Sequence, residues 1–146
     1  MTNEHQATVN GRSLPISPKM SMIICREIRG KKVQHAKHML EHVVTLKKPL
    51  PFKKFNKDLG HKPGMGPARY PVNASKLVLQ LLHSLEANAE NKGLNKERLI
   101  ITEAIANFAD RKWHMGRQRR TKIKSSHVTI SAVEEKTPEK KEAQKK

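Results

Sequence analysis

Apolar positions recur along this chain with two different periods, and the changes from one to the other mark out its elements. Met20, Ile23, Ile24 and Ile28 repeat at helical spacing, with Ser17 and Pro18 ahead of them and Gly30 behind. Serine at an N-cap, proline at the first helical position and glycine past the end predict a helix over about residues 18–29. A second helix is predicted over residues 32–46. Val33, Ala36, Leu40, Val43 and Val44 share one face of it, His35, His38 and His42 the opposite face, and Pro49 and Pro51 end it. Leu77, Val78, Leu81, Leu82, Leu85 and Ala89 form the widest stripe, closed by Gly93, and predict the third helix. Period two appears near both ends. Residues 7–14 read as a short strand interrupted by a turn at Asn10-Gly11, a pair that readily takes positive φ. Residues 127–133 alternate, with Val128, Ile130 and Ala132 on one face. Residues 99–108 send mixed signals. Ile100, Ile101, Ala104, Ile105 and Phe108 fit helical spacing, and periodicity alone leans towards helix there.

Two segments follow neither period. Residues 49–71 are dominated by Pro, Gly, Lys and His, with isolated Phe52, Phe55 and Tyr70. Such a stretch is too rich in breakers for an element and too long for an ordinary connection, so it is either functional or disordered. Residues 110–126 carry a dense Arg/Lys cluster. Residues 1–6 are expected to be loose, and the Lys/Glu/Pro-rich residues 136–146 to be a disordered tail, leaving one domain over residues 7–135.

Composition narrows the function. With 146 residues, 36% apolar and only 3% aromatic, the chain has room for one small aliphatic core with a thin stability margin. Its formal charge of +17 opposes compaction, and a polyanion relieves that repulsion with a favourable release of counterions. Solubility alone needs far less charge. No long apolar run, signal sequence or lipidation motif points to a membrane surface, which leaves nucleic acid as the expected partner. Cys25 stands alone, so no disulfide framework or Cys-based metal cluster is expected, and a reducing cytoplasmic compartment fits.

The apparatus of catalysis is missing from the pattern. His38 and His42 have metal-ligand spacing, but the zinc-protease pattern needs Glu where Met39 stands, and no Cys or carboxylate cluster completes a site. They read as a polar face against solvent or RNA. Ser13, Ser17 and Cys25 lack triad-like context, and the run from Gly60 to Pro67 lacks the Gly-Lys-Ser/Thr ending of a phosphate loop. The carboxylates are scattered, so a nuclease or other enzyme is not expected, and neither is a cofactor or a metal. The remaining alternative to a structural RNA binder is a free basic nucleic-acid-binding protein. Helix-turn-helix, zinc-finger and single-strand sheet signatures are all absent.

Three stretches carry a resemblance. They are Ile23-Ile24-Cys25-Arg26-Glu27-Ile28-Arg29-Gly30-Lys31; then Pro51-Phe52-Lys53-Lys54-Phe55-Asn56 with Gly60-His61-Lys62 and Gly66-Pro67-Ala68-Arg69-Tyr70-Pro71; and Ala87-Asn88-Ala89-Glu90-Asn91-Lys92-Gly93-Leu94. In this order, across residues 7–135, they resemble the large-subunit ribosomal protein family numbered twenty-two, in its archaeal and eukaryotic branch. The resemblance implies an α+β fold: three helices packed on a small antiparallel sheet, with a long protruding basic β-hairpin at about residues 105–127. It implies that residues 99–112 and 122–133 are the two arms and that the tip lies near residues 113–120, overriding the helical reading of 99–108 by tertiary pairing. It also implies a place in the large ribosomal subunit, with the domain near the exit-tunnel mouth and the hairpin along the tunnel wall. The expected partners are large-subunit rRNA, neighbouring ribosomal proteins and, near the tip, the nascent peptide. No homo-oligomer is expected. The chain departs from the family in a shorter stretch between the arms and in lacking a proline near the tip.

The residues expected to bind rRNA follow. On the hairpin they are Arg111, Lys112, Trp113, His114, Arg117, Arg119, Arg120, Lys122 and Lys124. An extended ribbon projects such side chains from both faces, and the arginine fork pairs with phosphate or stacks on bases. The alternative is a solvated, disordered basic loop. Trp113 either stacks on an unpaired base or braces the two arms. In the Gly/Pro segment the candidates are Lys53, Lys54, Lys57, His61, Lys62 and Arg69, with Phe52, Phe55 and Tyr70 expected to pin the segment to the core. Lys31 and Lys32 add contacts from the helix ends.

Overall fold

The computed structural model describes residues 6–135, apart from the side chain of Gln118. Of the loose terminus expected at residues 1–6 only Gln6 falls within it, and Gln6 opens a strand; the tail expected at 136–146 lies outside the described residues. The fold is α+β, with three helices and two small antiparallel sheets. The larger sheet has the order β1 (Gln6–Leu14), β6 (Ser126–Glu134), β5 (Leu99–Phe108), all antiparallel. Helix α1 (Pro18–Ile28) lies against β5, α3 (Val72–Asn91) lies against β1, and α2 (Val33–Val44) packs on α3.

Each helix buries the centre of the stripe that its spacing announced, while Met20, Val44, Leu77 and Leu81 stay half-buried. Ile23, Ile24 and Ile28 of α1, Val33, Ala36, Leu40 and Val43 of α2, and Val78, Leu82, Leu85 and Ala89 of α3 are all buried. They meet Val128, Ile130 and Ala132, the alternating face of β6. Serine and proline open α1 as expected, and the chain leaves it through Gly30 at φ +76. α2 stops at Val44. Thr45 turns its hydroxyl onto the Glu41 carbonyl and Leu46 takes φ +60, so the helix ends short of Leu46.

Residues 99–108 are a strand, and the helical spacing has a physical origin. Ile101 pairs with Ala132 and Glu103 with Ser131, which leaves Thr102 as an extra residue in a bulge. The bulge shifts the alternation by one, so Ile101 and Ala104 both face the core and both are fully buried. Two alternating runs joined by a bulge imitate a three-residue repeat. The expected turn at Asn10-Gly11 is also absent. Both residues are paired with β6, and the irregularity falls between Gly11 and Leu14, where Ser13 takes φ +51. Gly11 serves packing instead: a Cβ there would lie 2.8 Å from Leu14 Cδ1 and 3.0 Å from Leu81 Cδ1.

The breaker-rich segment is ordered. It folds into the second sheet, order β2 (Leu50–Pro51), β4 (Gly66–Arg69), β3 (His61–Lys62). Phe52 N–H donates to the Pro67 carbonyl at 2.8 Å, and Gly64 and Gly66 supply positive φ in the turn between β3 and β4. Phe52 is 3% exposed and Tyr70 half-buried, so these two do pin the segment. Phe55 does not: it is 43% exposed, at φ +56, with Lys19 Nζ 5.4 Å from its ring centre.

Candidate nucleic-acid interface

The β5–β6 ladder continues past Phe108 as a ribbon held by its own bonds. Ala109 N–H donates to the Ser125 carbonyl at 3.4 Å, Ile123 N–H to Lys112 at 2.8 Å and His114 N–H to Thr121 at 3.0 Å. Gly116–Gln118 form a single 3-10 turn at the end, opened by Gly116 at φ +69. The last two of those bonds flank Trp113 and Lys122, making them a non-hydrogen-bonded pair, in which side chains approach most closely. Lys122 Nζ accordingly sits 4.6 Å from the Trp113 ring centre, a cation–π contact across the arms. The ring is still 58% exposed, so the bracing contact exists and the ring stays open to a stacking partner.

Arg111 has a different task from its neighbours. Its Nε donates to the Ile123 carbonyl at 3.2 Å and its Nη2 to the Lys122 carbonyl at 3.1 Å, clamping the returning arm with the guanidinium fork. Lys112, Arg117, Arg119, Arg120, Lys122 and Lys124 are exposed and take part in no ion pair among the described residues, and His114 is half-buried. At the root of the ribbon, Ser126 Oγ lies 3.3 Å from Ser21 Oγ and 3.4 Å from the Ile16 carbonyl, while Ser21 donates to the Ser17 carbonyl at 3.0 Å. The two buried contacts of Ser126 tie the ribbon to the start of α1.

That tie places hairpin and loop cations side by side. A cleft of about 650 Å³ is lined by Phe55, Lys57 and Asp58 of the 52–60 loop, Arg69 of β4, Lys124 of the ribbon and Lys19 of α1. A second cleft, about 490 Å³, gathers Arg26 of α1 and Arg29 just past its end with Lys54. Arg29 also donates from Nη2 to the Ala104 carbonyl at 2.7 Å, on β5. Cys25 lines the same cleft at 2% exposure, and burial pushes its thiol pKa up to about 12, with the nearby Arg29 acting in the opposite direction. Lys19, Arg26 and Arg29 were missed by sequence reasoning. The available signal was their spacing along the face of α1 opposite Ile24 and Ile28.

The remaining candidates are spread out. Lys53 is exposed, and His61 and Lys62 pair with β4, with Lys62 Nζ 5.9 Å from the Tyr70 ring centre. Lys31 is half-buried, with Nζ 3.4 Å from Met39 Sδ, and Lys32 pairs with Glu135 at 3.0 Å. Neither Lys31 nor Lys32 lines the two clefts. His38 and His42 bring their Nε2 atoms within 2.9 Å of each other on α2, and among the described residues no group of three or more His, Cys, Asp or Glu could hold a metal ion. Among those residues, too, no helix is long and apolar enough to cross a membrane.

Residues 9–134 match the family described as Ribosomal protein L22p/L17e. The chain belongs to that family. Large ribosomal subunit protein uL22 of Archaeoglobus fulgidus is 47% identical over 103 residues, covering 68% of this chain and 66% of that protein. The uL22 protein of Staphylothermus marinus is 41% identical over 133 residues, 83% of this chain and 84% of that one. That of Methanoculleus marisnigri is 46% identical over 107 residues, 71% and 70%. For this L22p/L17e member, the resemblance drawn from three short stretches holds across the domain, and the archaeal relatives agree with the branch. The family is one of ribosomal structural proteins and not of enzymes.

Proposed function

We propose that the chain is a structural constituent of the cytoplasmic large ribosomal subunit that binds and organises large-subunit rRNA and carries out no reaction. The observation that carries this reading is the convergence of cations from four separate parts of the fold. Lys19 of α1, Lys57 of the 52–60 loop, Arg69 of β4 and Lys124 of the ribbon line one cleft against a single carboxylate, Asp58. An uncompensated cluster of this kind repels itself in the free protein, and closely spaced phosphates relieve it. The contacts are to backbone and shape, which suits a scaffold protein. The ribbon supplies a second arm of the same surface, with Arg117, Arg119 and Arg120 exposed at its end. In the assembled subunit the domain sits near the mouth of the peptide exit tunnel and the ribbon runs along its wall, among neighbouring ribosomal proteins and within reach of the nascent peptide at the tip.

Sedimentation of a native lysate at low and high salt tests the assignment. Stoichiometric retention on the large subunit through a salt wash is the expected result. Release into free or DNA-bound fractions at modest salt would refute it. Cryo-electron density around residues 111–124 in the isolated subunit would then report whether the tip reaches the tunnel.

A further inference from the structure

We infer that the cleft between α1, the 52–60 loop and the root of the ribbon takes one unpaired nucleotide of RNA, its base against Phe55 and its phosphate among Lys19, Lys57, Arg69 and Lys124. The inference rests on the RNA-binding reading and adds the form of the ligand. A volume of about 650 Å³ falls within the range of small-ligand sites, whereas a duplex keeps the faces of its bases stacked inside and offers an aromatic ring no planar partner.

Phe55 is the feature that charge alone does not explain. Phe52, three positions earlier, is buried, yet Phe55 is left 43% exposed at φ +56. A bulky side chain rarely adopts that backbone region, and holding it there is strained. The aromatic surface is therefore withheld from a core that has few aromatics and presented to a cationic cleft. Lys19 Nζ lies over the Phe55 ring, 5.4 Å from its centre, so a base stacking on that face displaces the ammonium and leaves it free to pair with the nucleotide's phosphate. Asn56 and Ser17 line the same cleft and offer amide and hydroxyl groups to a base edge. A base can reach such a ring only when splayed out of its stack, the usual mode of single-strand recognition. An acidic peptide would satisfy the four cations and leave the ring without a planar partner.

The test uses the full chain with two probes, hexa-adenylate RNA and an RNA duplex of equal phosphate number. Phe55→Leu keeps an apolar side chain at the position and removes the π-face. It is expected to weaken hexa-adenylate binding about fivefold or more, leave duplex binding within about twofold, and leave the salt dependence of both unchanged. Phe55→Tyr retains stacking and is expected to bind like the parent. Unchanged hexa-adenylate affinity in Phe55→Leu, equal losses for both probes, or equally effective competition by hexaglutamate would each overturn the inference. Duplex binding that survives such a result leaves the RNA-binding reading standing. Failure of the parent chain to bind either probe at low salt removes both.

Discussion

Replacing Arg117, Arg119 and Arg120 by glutamine separates a ribbon built for phosphates from one that is merely basic. The three side chains are exposed, and none is engaged in an ion pair among the described residues, so each is free to meet a phosphate. Each phosphate contact contributes about 0.7–0.9 to the log–log slope of affinity against salt. Removing three should flatten the slope by about 2–3. With affinities converging near 1 M salt, that is roughly a 100- to 500-fold loss at 0.1 M. The backbone bonds of the ribbon, 2.8 Å from Ile123 to Lys112 and 3.0 Å from His114 to Thr121, do not involve these side chains, so amide exchange at those two sites should stay as in the parent. The assay is a salt titration of binding to purified large-subunit rRNA, with Lys47, Lys48 and Lys76 changed to glutamine as an equal-charge control. A companion measurement is the ratio of tagged variant to parent in large subunits when both are expressed together. If the control triple loses as much as the ribbon triple, placement is irrelevant and only net charge matters. If the ribbon triple keeps the parent's slope and subunit occupancy, the phosphate-binding account fails outright.

Three further outcomes follow from particular contacts. Arg111→Lys keeps the charge but loses the fork that holds the Ile123 and Lys122 carbonyls, so exchange at Ile123 and His114 should accelerate about fivefold to tenfold, and protection equal to the parent's would show that the clamp is idle. Leu82→Ala, at a fully buried position of α3, should cost about 2–5 kcal/mol in urea unfolding, a large share of the stability of so small a core; a cost under about 1 kcal/mol would mean that the core collapses around the gap. The Cys25 thiol keeps its proton up to about 12 when folded and releases it near 9 when unfolded, so the unfolded state binds fewer protons across that window and stability falls as pH rises through it. The slope from this group approaches about 1.4 kcal/mol per pH unit and should vanish in Cys25→Ala; identical alkaline profiles for variant and parent would contradict the burial argument.

Local chemistry alone determined the helices and the partner class. Proline and glycine mark the ends of α1 whatever surrounds them, because they act on the backbone of their own turn, whereas Ser17 stands at the N-cap without a side-chain capping bond. The apolar stripes announced the buried faces of all three helices, and a charge of +17 announced a polyanion. What tertiary structure decided lies wherever a residue's role depends on a distant neighbour. The bulge at Thr102 exists because β5 must keep register with β6, and it made a strand look helical. Gly11 reads locally as a turn former and is in fact the space that Leu14 and Leu81 occupy. Phe52 and Phe55 sit in nearly the same local sequence, yet one enters the core and the other faces the cations. Arg111 and Arg117 are the same residue type in the same basic run, yet only Arg111 reaches carbonyls across the ribbon. Lys19, Arg26 and Arg29 joined the candidate surface only when α1 came to lie against β5 and the loop folded over it. Periodicity records what each residue does for its own turn or strand, whereas a binding surface is assembled from elements far apart in the chain, and their meeting is set by packing.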